Sequence, residues 1–140
     1  MNTVILRILS LNGVSIRHAD SIILDPHQLH SLELEVTAFE DVADAVIVLA
    51  TTATSDVKLT CVEPACIEAD PFSIAEVDAI AFAVPLQKGI QRVPLRFRIT
   101  PVGTGLALGA SLVRIEVSAV DAALDTLSDQ PQVFFASVPA

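Results

Sequence analysis

Between Arg92 and Pro101 the chain reads Arg-Val-Pro-Leu-Arg-Phe-Arg-Ile-Thr-Pro. Val93, Leu95, Phe97 and Ile99 alternate with Arg92, Arg96 and Arg98. A period of two over this length predicts a strand with one buried and one wet face. The stretch from Leu112 to Ala119 repeats the pattern, with Val113, Ile115, Val117 and Ala119 set against Arg114, Glu116 and Ser118. So does Leu32 to Ala38, where Leu32, Leu34, Val36 and Ala38 point in and Glu33, Glu35 and Thr37 point out. Val4 to Leu9 is apolar except for Arg7, and Asn12-Gly13 closes it as a turn. Ala45 to Thr52 is apolar almost throughout, like a central strand covered on both sides. Val14 to Arg17, Ile22 to Leu24, Val57 to Cys61, Ile80 to Val84 and Val133 to Val138 complete the strand candidates.

Alternating antiparallel strands need a second layer over their apolar faces. Two packed sheets provide it, with a closed barrel as the alternative. The expected fold is an all-β, antiparallel sandwich of about 7–9 strands, with turn signals between them. Ser73-Ile74-Ala75-Glu76 has the form of a capping box and could open one short helical turn. Ala119, Ala123, Leu124 and Leu127 are at helical spacing, so a short helix or a long loop is expected there. No repeat or linker interrupts the chain, and its 140 residues suit one domain over 1–140.

Composition sharpens this picture. Hydrophobic residues make up 52% of the chain, and the mean hydropathy is +0.62. No stretch approaches the roughly 20 consecutive apolar residues that a membrane helix needs, so insertion as a helix is not expected. Met1-Asn2-Thr3-Val4 has neither a basic region nor a long apolar one, so no signal peptide is expected. Cytoplasm, virion, or a domain excised from a larger exported protein all fit. Eight Lys and Arg against 17 Asp and Glu leave a net charge of −9, which disfavours nucleic acid and anionic lipid. Trp and Tyr are absent and the six aromatics are all Phe, a poor equipment for stacking on bases or sugars, so carbohydrate is not expected either.

The run from Ala79 through Val93-Pro94-Leu95-Arg96-Phe97-Arg98-Ile99-Thr100-Pro101 and Gly103 to Leu112-Val113-Arg114-Ile115-Glu116-Val117 resembles one family pattern. That pattern is an apolar strand, a strand ending in Thr-Pro, a glycine and a further strand. It is found in immunoglobulin-like domains of bacterial surface, alpha-2-macroglobulin-type and transglutaminase-associated proteins. Leu32 to Leu49 is similar to the second and third strands of such domains. The antibody Cys–Trp–Cys arrangement and the alpha-2-macroglobulin thioester motif are both absent. The resemblance implies an immunoglobulin-like sandwich in which the strand at 32–38 is the second, that at 93–100 the fifth, and the two are neighbours. Glu33 and Glu35 would then lie beside Arg96 and Arg98 as a surface charge ladder, open either to a partner or simply to solvent.

Candidate chemistry is sparse. Cys61 and Cys66 are close enough for a disulfide across a turn, with free thiols or a two-ligand contribution to a metal as alternatives. Asp25, His27 and His30 form the one metal-like cluster, in a segment that reads as an exposed turn; His18 stands apart. The acidic run from Cys61 to Asp78 lacks the glycine-turned geometry of calcium loops. Gly103-Thr104-Gly105 is not followed by a helix or a Lys-Ser/Thr pair, so it is no phosphate loop. There is no Gly-x-Ser-x-Gly elbow. No catalytic residue, metal or cofactor is expected. What stands out is surplus apolar surface: Leu106 and Leu108 in a glycine-rich connection, and the adjacent Phe134 and Phe135, one of which must face away from the other's side. These four are the candidate contact residues of a non-catalytic module that binds a protein partner. The alternative is a structural subunit that binds itself, as in a virion decoration, appendage or filament.

Overall fold

A computed structural model describes residues 3–16, 22–51, 57–67, 78–101, 111–128 and 130–139. The described residues form nine strands and no helix. They are β1 (Val4–Leu11), β2 (His30–Ala38), β3 (Val46–Thr51), β4 (Val57–Glu63), β5 (Cys66–Ile67), β6 (Asp78–Ala83), β7 (Gly89–Pro101), β8 (Ser111–Val120) and β9 (Gln132–Val138). Two antiparallel sheets, β1-β2-β7-β4 and β5-β6-β3-β8-β9, pack face to face. Ser73–Glu76 lies outside the described residues.

Alternation builds the core. In β2, His30, Leu32, Leu34, Val36 and Ala38 are buried while their neighbours are half-exposed; in β7, Val93, Leu95, Phe97 and Ile99 are buried between exposed residues. From the other sheet Ile47, Leu49, Ile115, Val117 and Phe134 join the same cluster. Each such side chain contributes about 1.5–3 kcal/mol on burial. β3 is central and covered on both faces: Ile47 and Leu49 enter the main core, while Val46 and Val48 form a second cluster with Ala79 and Ala81.

The architecture is the immunoglobulin-like one, in which strands A, B, E and D share a sheet and G, F, C and C′ form the other. β1, β2, β7 and β4 occupy the first set of places, and β9, β8, β3 and β6 the second. The strand at 93–100 is therefore the neighbour of the strand at 32–38, but it is seventh in the chain rather than fifth. After β3 the chain crosses to the D place as β4. It then returns to the second sheet as β5 and β6 before β7 takes the E place.

Local chemistry sets the ends. Asn12 and Gly13 both have positive φ, 54° and 82°, and Leu11 and Val14 exchange two backbone hydrogen bonds across them. This is the type I′ geometry that Asn-Gly favours. The helical spacing in Ala119–Leu127 does not produce a helix. β8 runs to Val120, and the Asp121 carboxylate then accepts N–H bonds from Ala123 and Asp125 in a tight turn with Leu124 at φ 67°. A short acidic side chain satisfying nearby donors competes with helix formation in this way. The turn directs Leu127 back onto β1, where its carbonyl accepts from Thr3 and Val4.

Candidate functional site

The wet face of the β1-β2-β7-β4 sheet is where charge gathers. Outward positions are Arg7 on β1, Glu33 and Glu35 on β2, Arg92, Arg96 and Arg98 on β7, and Lys58 and Glu63 on β4. Five cations thus face three carboxylates in a chain whose net charge is −9, and five of its eight Lys and Arg lie on this one face.

The ladder expected from the sequence is displaced. Glu33 lies opposite Pro94 and Glu35 opposite Arg92, whereas Arg96 is opposite Ser31 and Arg98 lies beyond the end of β2. Arg92, not Arg96 or Arg98, pairs with Glu33, at 3.4 Å. Arg96 turns the other way, to Glu63 on β4, at 2.9 Å. The reason is register: a shift by an even number of residues leaves every side chain on its expected face and still changes its partner. Arg7, Lys58 and Arg98 make no ion pair among the described residues. These pairs are solvent-exposed, so each contributes at most about 1 kcal/mol to stability. Their importance is the field they leave uncancelled.

Cys61 and Cys66 are joined as a disulfide, with Cα atoms 5.9 Å apart. Cys61 lies in β4 just before its bulge and Cys66 begins β5, so the bond ties the two sheets together along one side of the sandwich. The corner between them, Glu63 and Pro64, lines a groove of about 480 Å³ together with Val84 and Pro85 and with β7 around Arg92 and Pro94.

The apolar candidates divide. Phe134 is 3% exposed and belongs to the main core, so it is not a contact residue; it shares parity with Ala136 and Val138, which are also buried. Phe135 is 53% exposed, and Val133 shares its face. Leu106 and Leu108 lie outside the described residues. β9 is an edge strand. Its Ser137 backbone is taken by Ile22 and Leu24, so by alternation the N–H and C=O groups of Val133 and Phe135 also turn away from β8.

His27 and His30 do not converge. His27 is exposed, but His30, contrary to the exposed-turn expectation, is fully buried. Its Nε2–H donates to the Asp25 carbonyl at 2.8 Å, and its Nδ1 accepts from the Asn12 amide at 2.9 Å. The ring packs against Phe97. His30 shares the parity of Leu32 and Leu34, the signal that places it inward. His18 lies outside the described residues, among which no group of three or more His, Cys, Asp or Glu is arranged to hold a metal. No helix among them is long and apolar enough to cross a membrane.

No protein-family model matches the chain. No curated protein matches it either. Solved structures with a similar course include a chain of the CaDoc0917–CaCohA2 complex, at 12% identity and TM-score 0.38, with 99% of each chain covered. AvmM, described as catalysing macrocyclization in alchivemycin A biosynthesis, is 10% identical with TM-score 0.44, over 99% of this chain and 89% of that one. ACE19, the collagen-binding subdomain of the Enterococcus faecalis surface protein ACE, is 10% identical with TM-score 0.35, over 84% and 94%. Likenesses at this level assign no partner, ligand or reaction to the chain.

Proposed function

We propose that this chain is a non-catalytic protein-binding module that engages an acidic partner through the wet face of the β1-β2-β7-β4 sheet. The observation that carries the reading is charge segregation: a face with more cations than carboxylates in a chain of net charge −9. A surface selected only for solubility intersperses its signs, and here Arg7, Lys58 and Arg98 have no ion-pair partner among the described residues. Uncancelled charge on a firm sheet steers a complementary partner and fixes its orientation.

The test is fluorescence anisotropy of labelled poly-glutamate with the 140-residue chain at low and at physiological salt. Binding that weakens with salt, and weakens about fivefold or more in the double variant Lys58→Glu, Arg98→Glu, is the expected result. Absence of binding at low salt overturns the reading.

A second reading, self-assembly as a structural subunit, draws on the β9 edge. There exposed Val133 and Phe135 side chains coincide with outward backbone groups. It requires a solution mass above that of the 14.8 kDa monomer.

A further inference from the structure

β7 has 13 residues, and its two neighbours do not cover it equally. β2 pairs with Gly89 to Phe97, but β4 pairs only with Arg96 to Pro101. On the β4 side, Ile90 to Leu95 has no partner strand among the described residues. The direction of the backbone groups there follows from bonds elsewhere. The Phe39 N–H donates to Thr3, and the Ser31 carbonyl accepts from Asn12, so the odd-numbered residues of β2 turn toward β1. The residues of β7 opposite them, Ile90 opposite Thr37, Arg92 opposite Glu35 and Pro94 opposite Glu33, therefore turn away from β2. Pro94 conforms to this: its missing N–H falls on the side that no described strand covers, where proline is tolerated in a sheet.

The groove described above lies along this uncovered edge. Two sorts of wall meet in it. On the wet side stand Arg92, 76% exposed even with Glu33 as its ion-pair partner, and Arg96, paired with Glu63, the one acid in the groove lining. On the inner side the walls are Val84 and Pro85. A strand laid beside β7 would alternate between these sides. Five residues at about 3.3 Å each span the edge from Ile90 to Pro94.

We propose that this groove takes an extended peptide segment of an acidic partner, added to β7 as a strand in line with β4, with acidic side chains toward Arg92 and Arg96 and small apolar ones toward Val84 and Pro85. The inference rests on the acidic-partner reading and narrows it to one edge and one mode. Backbone hydrogen bonds to Ile90, Arg92 and the Pro94 carbonyl supply affinity, and the alternating walls supply selectivity.

The probe is a labelled Glu-Val-Glu-Val-Glu peptide, blocked at both ends, titrated into the full chain by anisotropy. It is compared with its Lys-Val-Lys-Val-Lys counterpart and with two N-methylated forms, each blocking one alternate set of amides. Expected are binding of the acidic peptide, none of the basic one, and a loss of about tenfold in each of Arg92→Glu and Arg96→Glu. One N-methylated form should lose binding and the other keep it, because only one set of amides faces β7. Arg114→Glu, on the other sheet, should change nothing. If both methylated forms bind as well as the parent, and binding is lost in Lys58→Glu, Arg98→Glu but kept in Arg92→Glu, the groove inference falls and the acidic-partner reading stands. If neither this peptide nor poly-glutamate binds, both fall.

Discussion

Asn12 shows how much one polar side chain can organise. Its Oδ1 accepts the Ser31 N–H at 2.8 Å, which fixes the amide so that Nδ2 meets His30 Nδ1. Its backbone supplies the first positive φ of the β1 turn. Replacing it by alanine removes the partner of a fully buried ring nitrogen and forces a Cβ-bearing residue without compensating hydrogen bonds into the left-handed region. Asn12→Ala is expected to cost about 2 kcal/mol or more in urea unfolding. Asn12→Gly, which keeps the turn and loses only the amide, should cost about 1–2 kcal/mol. Equal stability of Asn12→Gly and the parent would mean that His30 draws nothing from the amide. Asn-Gly is readable in the sequence as a turn because its chemistry is local. The bond to His30 is not readable, since 18 residues separate the two and only the β1–β2 register joins them.

At the scale of the element, strand positions and faces were legible and registers were not. Period two states which side a residue faces but not what it sits beside, because a slip by two preserves every face. Hence β2 and β7 appear in the alternation, while Glu33 meets Arg92 rather than Arg96. The edge of β7 that no described strand covers did leave a trace: Pro94 in the middle of an alternating run suits a strand uncovered on one side at that point. β9 turns the same period into a prediction. Phe134→Ala should cost about 3–5 kcal/mol, as a large side chain leaves a packed core. Phe135→Ser should change stability by no more than about 0.5 kcal/mol. Denaturation midpoints of the two variants decide this, and comparable losses would mean that Phe135 is covered in solution. Sequence reasoning grouped the two because adjacency in a strand announces opposite faces without saying which one is wet.

For the whole molecule, the same charge distribution that suits an acidic partner sets a problem, because the chain carries acid of its own. Glu40, Asp41 and Asp44 lie in the β2–β3 connection and Asp121 and Asp125 in the β8–β9 turn. The Asp44 carboxylate accepts the Ala122 N–H, which brings these two loops together at one end of the sandwich. That end is complementary in sign to the cationic face of another copy. Contact between them would be heterologous, so it would not close on itself. Salt at about 150 mM screens exposed charges beyond about 8 Å, and an end built of loops offers no strand to match the edge of β7. We therefore expect a monomer of 14.8 kDa by light scattering at that salt, with or without reductant, and unchanged by Phe135→Ser. A larger mass that collapses as salt is raised would mean that the acidic end occupies the face meant for a partner. A larger mass that survives salt but is lost in Phe135→Ser would instead place the contact at β9, where apolar side chains and outward-turned backbone groups coincide, and would put the structural-subunit reading ahead of the binding module.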